Sequence, residues 1–200
     1  MSDPVEGREI RGADWYGDDL GAAVYLRCIF TDLDLSEVST AGARFEECTF
    51  HGCRFNSSTH RVSAFTGCDF RRCSFFDATF EGCKLTGSVF SECTLRPIRI
   101  DGGQWRSVTI RGANLTRLDL AGLDLREADL SLSDFTGSSL RGAALDGAIL
   151  RATNLTGADL RGATLAGIDL AEAVLASTHL DLAGAVRLAE QHGALVDPTA

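Results

Sequence analysis

The sequence predicts an all-β protein, a four-sided parallel β-solenoid closed by a short C-terminal helix, and three observations carry that prediction. A large apolar residue recurs every five positions, as at Leu155, Leu160, Leu165 and Leu170. Seventeen of the 21 glycines fall two positions after that residue. The spacing runs from Ile10 to Leu180 with no insertion or deletion. A period of five matches neither the 3.6 of an amphipathic helix nor the 2.0 of a strand, so it marks an internal repeat.

Residues 1–7 precede the repeat and read as an N-terminal tail. Residues 8–182 carry it. We call the residue at each multiple of five the central one. Two positions before it stands a small residue (Ala, Cys, Ser or Thr), one before it often Asp, Asn or Thr, and one after it Arg, Thr or Ser. Glycine tolerates backbone angles closed to other residues, so a glycine every five residues implies a recurring corner. The central and small residues alternate and point inward, the other three face water, and four such sides close a square. Twenty residues per coil then stack at the inter-strand spacing, each coil pairing with those above and below.

Residues 20 apart form ladders inside the square. Phe30, Phe50, Phe70 and Phe90 make one, continued by Ile110, Leu130, Leu150 and Leu170. Aromatic rungs dominate the N-terminal half and leucines the C-terminal half, which predicts a change either of stacking pattern or of handedness of twist along the rod.

Departures from the pattern come next in chain order. Thr40 and His60 are polar central residues in successive rungs of one ladder. An unpartnered buried imidazole costs on the order of 1 to 3 kcal/mol, so either the two bond each other or the coil bulges outward. No nucleophile or acid accompanies His60, which argues against a catalytic role. Pro97 stands where a corner glycine belongs and reads as a corner variant. Cys28, Cys48, Cys53, Cys68, Cys73, Cys83 and Cys93 all occupy the small slot, as Ala113 and Ala128 do elsewhere, and so read as soft apolar fillers. Their odd number fits reduced thiols, and neither they nor the isolated His51, His179 and His192 show metal-ligand spacing.

Residues 183–200 change character and read as a capping and dimerisation element. Asp181 is placed to cap a helix in which Leu182, Ala185, Val186 and Ala189 recur at helical spacing, with Gly193 as its stop. Ala194, Leu195 and Val196 read as a short strand before Pro198. A solenoid end exposes unpaired backbone and an apolar rung, so this helix covers it. Leu182, Val186, Ala189, Leu195 and Val196 are then the candidate contacts joining two rods tail to tail about a two-fold axis.

Two hundred residues that are 44% apolar suit one domain with a core. No run of 18 apolar residues and no basic-then-apolar leader is present, so a cytoplasmic protein is expected. A net charge of -9 argues against direct contact with nucleic acid or an anionic membrane and favours a basic partner surface.

The form Ala158-Asp159-Leu160-Arg161-Gly162 resembles the pentapeptide-repeat family, and the similarity covers residues 8 to 182. It implies a right-handed quadrilateral β-helix. SSTHRVSAF (Ser57 to Phe65), TLRPIRI (Thr94 to Ile100) and LAGAVRLAEQHGALV (Leu182 to Val196) are most similar to the quinolone-resistance branch, the MfpA-like and Qnr-like proteins. That resemblance implies a dimeric rod that imitates duplex DNA, binds DNA gyrase and in some members topoisomerase IV, and inhibits it or protects it from fluoroquinolones. It also implies a protein that is not an enzyme and needs no cofactor. The loop-free register is more similar to MfpA-like than to Qnr-like members.

The acids that fit this partner are Asp119, Asp124, Asp129 and Asp134, which precede four successive central residues and girdle one coil, with Asp159 and Asp169 extending the set. Asp in that slot either faces the partner or bonds the backbone of its own turn. Roughly nine coils at about 4.8 Å give a rod of ~42 Å. Duplex of that length carries ~25 charges, so mimicry by a chain of net charge -9 is partial. A non-catalytic scaffold binding another protein through its flat faces is the alternative. A carbohydrate-cleaving β-helix would need long loops and clustered carboxylates, and the sequence has neither.

Overall fold

The computed structural model describes residues 3–197, and over them the five-residue period becomes four walls. Three walls are parallel sheets of four, six and five strands, mostly of three residues each. The fourth is a column of single bridges, Asp14 to Asp34 to Arg54 to Ser74 to Thr94. Partners lie 20 positions apart throughout, as in Phe50 beside Phe70 and Phe70 beside Phe90. Leu120, Leu140 and Leu160 lie one above another, linked through Leu120 N–H to Ser139 C=O and Leu140 N–H to Asp159 C=O.

The core is a column of central and small residues. Phe30, Phe50, Phe70, Phe75 and Phe80 are all but fully buried, as are Cys28, Cys53, Ala128 and Ala158. All seven cysteines are free. Their thiols donate weakly to a carbonyl of the coil below, as Cys83 does to His60 C=O at 3.2 Å, so the small slot takes a soft donor as readily as a methyl group.

Corner geometry is fixed by position rather than by glycine. The residue two after the central one takes a positive φ even at Arg27, Asp32, Glu47, Val62, Arg117 and Leu132. A non-glycine there costs roughly 1–2 kcal/mol. The regular coil-to-coil bond of that N–H, such as Ser57 N–H to Phe76 C=O at 2.8 Å, offsets the strain.

The predicted change of stacking is present. Strand pairing of two or more residues runs as far as Thr109–Ile110, and the walls beyond it are held by single bridges such as Asp124 to Ala144.

Three sequence expectations need correction. Val5–Glu6 pairs with Tyr25–Leu26, so the first coil starts inside the 1–7 segment read as a tail. Val5 already occupies a central slot, and the next coil supplies its bonds. The terminal helix spans Leu182–Gln191 with the Asp181 side chain as its cap, as its sequence predicts, so only the 182/183 boundary drawn between the two elements moves, by one residue. Ala194, Leu195 and Val196 form no strand, since no neighbouring strand edge reaches them, and Leu195 is fully exposed. Pro198 lies outside the described residues.

Candidate functional site

All six predicted acids lie on the outside, and every one bonds its own turn. Asp119, Asp124, Asp129, Asp134, Asp159 and Asp169 each accept the N–H two residues on, from Ala121, Arg126, Ser131, Thr136, Arg161 and Ala171. Asn114 and Asn154 make the same bond to Thr116 and Thr156, so the turn needs the side-chain oxygen and not the charge.

Arginines divide the set. Asp124 takes two bonds from Arg126, at 2.8 and 2.7 Å, and this guanidinium holds its carboxyl below the ordinary range. Arg161 does the same to Asp159, with Arg141 adding a contact at 3.0 Å. Asp129 lies 3.7 Å from Arg111. Asp119, Asp134 and Asp169 have no such arginine among the described residues and keep their field.

The girdle also spreads around the rod. Asp119 and Asp159 share a wall but are separated by Ser139, while Asp129, Asp124 and Asp134 open onto three other walls beside Ile149, Ala144 and Asn154. No two of the six are vertical neighbours.

The terminal helix rests on the last rungs through residues the sequence reading passed over. Gly184 packs so close that a side chain there would meet Leu180 and Leu165 at 3.3 and 3.4 Å. Leu188 packs against the core, and Gln191 accepts from Leu170 N–H at 2.9 Å while donating to Ile168 C=O. The spacing 184, 188, 191 is one helical stripe and was there to be found. Asp181 ties the corner together, accepting from Gly184 N–H and Gly162 N–H, and these bonds lower its carboxyl pKa. The stripe Leu182, Val186, Ala189 points elsewhere: Leu182 is 81% exposed, and Val186 and Ala189 are half-buried. Leu195 and Val196 are exposed beyond it.

His60 is held inside the column. Thr40 Oγ1 lies 2.9 Å from Nδ1 and Ser58 Oγ 3.0 Å from Nε2, and Ser63 Oγ lies 2.9 Å from Thr40. Ser58 and Ser63 have further acceptors in Phe55 C=O and Arg61 C=O, so either neutral tautomer is satisfied. Burial pushes the imidazole down to about 3. Thr40 is legible as a partner from its 20-residue spacing, whereas Ser58 and Ser63 look in sequence like ordinary small-slot residues. Among the described residues no cluster of His, Cys, Asp or Glu could hold a metal ion, and no helix is long and apolar enough to cross a membrane.

Comparison with known proteins agrees with the coil geometry. The pentapeptide repeat region model matches residues 55–130, and the pentapeptide repeats (8 copies) model matches 28–59, 113–151 and 153–183. No curated protein matches the chain. Among solved structures, a trypsin-treated form of QnrB1, a plasmid-mediated fluoroquinolone resistance protein, is 20% identical and superposes with a TM-score of 0.60 over 97% of both chains. Full-length QnrB1 is 19% identical over 96% of this chain and 100% of its own, with a TM-score of 0.42. HetL, a pentapeptide repeat protein involved in heterocyst differentiation regulation from the cyanobacterium Nostoc sp. strain PCC 7120, is 24% identical over 86% of this chain and 89% of its own, with a TM-score of 0.29. With the family models spanning most of residues 28–183 and the coils built as that repeat requires, the chain belongs to the pentapeptide-repeat family.

Proposed function

We propose that this protein is a partial DNA mimic that binds DNA gyrase, with topoisomerase IV as a second target, and modulates or inhibits the enzyme so as to confer fluoroquinolone resistance. The observation carrying this reading is the end-to-end likeness to QnrB1, over 97% of both chains, in a rod whose walls bear no long loop. The resemblance of Ser57 to Phe65, Thr94 to Ile100 and Leu182 to Val196 to the quinolone-resistance branch supports it. In this reading the protein is non-catalytic, works in the cytoplasm and acts as a homodimer joined at its C-termini.

The charges that serve the contact are then Asp119, Asp134 and Asp169, whose fields no arginine cancels. Replacing these three by Asn keeps every turn bond, as Asn114 and Asn154 do, and is expected to raise the half-inhibitory concentration in a gyrase supercoiling assay about tenfold. The same change at Asp124, Asp129 and Asp159 should do much less. Equal effects from the two sets would refute the assignment. No effect of the unaltered protein, with or without a fluoroquinolone, would refute the function.

For the dimer, Val186→Asp places a charge in the stripe facing away from the solenoid, while Leu188 and Gln191 still hold the helix. The mass by light scattering should fall to that of one chain, and Leu195→Asp should act in the same direction. An unchanged mass would remove these residues from the interface.

The second reading, a scaffold that binds a different protein, is favoured by one observation. No two of the six acids are vertical neighbours, and three of them are already paired with arginine. A pull-down from cell extract that lacks gyrase subunits would select it.

A further inference from the structure

In mid-rod the stacking of coils is interrupted along two walls at once, whereas nearer the end only the single bridge from Ile149 to Asp169 is missing. On the wall ending in Ile98–Asp101, strand pairing stops at Arg99 and resumes only with the bridge from Asp119 to Ser139. On the adjoining wall the bridges stop at Thr94 and resume with Asn114 to Asp134. The other two walls continue without a gap, through Val89 to Thr109 and Gln104 to Asp124. Two successive coils are therefore joined along two walls and parted along the other two.

Pro97 is the cause. Every intact corner donates its N–H to the next coil, as Asp77 does to Pro97 C=O. Proline has no N–H to give Thr116, and its ring excludes the positive φ of a corner. Arg96 turns to the Thr116 hydroxyl instead. Leu95, Ile100 and Gly102 then lack the bonds to Asn114, Asp119 and Ala121 that the register would give them. The parting also exposes the inside: Ile100 is half-buried where Phe80 below and Leu120 above are buried, and Cys93 alone among the cysteines is not buried. Beneath it lies an apolar void of about 20 Å³ bordered by Leu95, Ile98, Trp105 and Leu115.

The parted walls enclose a cleft of about 480 Å³ lined by Arg96, Pro97, Arg99, Asp101, Arg117 and Asp119, among others. An extended residue fills roughly 3.3 by 4.8 by 10 Å, about 160 Å³, so the cleft takes about three, the length of one wall. The guanidinium groups of Arg99 and Arg117 have no hydrogen-bond or ion-pair partner among the described residues. Arg106, Arg111 and Arg126 close by are all paired with carboxylates. In a chain of net charge -9, the cleft sets three arginines against two aspartates and so carries a local positive excess.

We propose that this seam accepts an extended acidic segment of a protein partner as an added strand. The free N–H and C=O groups of Leu95, Ile100, Asn114 and Asp119 pair with the incoming backbone, and Arg99 and Arg117 take carboxylates on alternate side chains. The proposal does not rest on the gyrase reading: Asp119 borders both surfaces, but the other acids invoked there lie away from this cleft, which is read by the opposite charge.

The test uses the full chain and a capped heptapeptide alternating Glu and Val, followed by calorimetry and by Trp105 fluorescence. Saturable binding is expected, with slower amide exchange at Leu95, Ile100 and Gly102. The double change Arg99→Gln with Arg117→Gln should weaken binding at least tenfold without shifting the thermal midpoint. Pro97→Gly restores the corner N–H, closes the seam and should abolish binding. Four results would overturn the proposal: no binding, equal binding of the Lys and Val heptapeptide, displacement by inorganic phosphate at equal concentration, or amide exchange unchanged on binding. Concentration-dependent self-association lost in Pro97→Gly would assign the seam to a second copy and equally overturn it.

Discussion

Lowering the pH from 6.5 to 3 is expected to remove about 4 kcal/mol of stability through His60 alone. The folded imidazole is depressed to about 3 from 6.5 because burial disfavours its charged form. Below pH 6.5 the unfolded chain takes up a proton that the folded chain refuses, so stability is full above 6.5 and falls by about 1.36 kcal/mol per pH unit until pH approaches 3. His60→Leu leaves Ser58 bonded to Phe55 C=O, Ser63 to Arg61 C=O and Thr40 beside Ser63, so no buried hydroxyl is stranded. Urea unfolding at pH 7, 5.5 and 4.5 should therefore show a shallower acid loss in the variant by about 1 kcal/mol at 5.5 and about 2.5 at 4.5. Parallel curves would mean that the Thr40–His60–Ser58 chain accepts the proton inside the column. Carboxylates such as Asp124 and Asp159 lose their arginine pairs at lower pH in both proteins and cancel from the difference.

Phe70→Ala should cost about 3–5 kcal/mol, the largest effect of any single side chain in the column. Its ring is fully buried and stacked between Phe50 at 4.9 Å and Phe90 at 4.8 Å, with Phe75 edge-on at 5.3 Å. With Phe55 and Phe65 each at 6.0 Å as well, truncation strips contacts from five rings at once, and the coil cannot collapse onto the gap because its walls are tied above and below. Phe70→Leu keeps most of the volume and should cost about 1–1.5 kcal/mol. Urea midpoints of the three proteins check this. A Phe70→Ala loss below about 2 kcal/mol would mean that the stack repacks.

Sequence and structure agree wherever a side chain had to point inward. Phe50, Phe70, Leu120 and Leu160 were placed by their spacing alone. Burial is decided by which face a residue occupies, and a fixed period dictates the face. The acids fared differently. Asp119 and Asp124 hold the same slot, yet Arg126 folds back onto Asp124 while no arginine reaches Asp119. An arginine two residues on, as at Arg126 and Arg161, marks in sequence the acids that lose their field within their own turn, but the contacts of Arg111 with Asp129 and Arg141 with Asp159 cross between coils and depend on where a long flexible side chain comes to rest.

The period of five determined a four-walled coil, the identity of its core and the position of each corner, because these follow from local geometry repeated without a slip. Tertiary structure decided the rest. Ser58 and Ser63 were chosen as partners for His60, Gly184, Leu188 and Gln191 as the docking stripe of the helix, and Pro97 as the break between two coils. Each depends on groups some 20 residues apart meeting at hydrogen-bond distance, and a missing N–H at one corner shows its effect only when the next coil arrives above it.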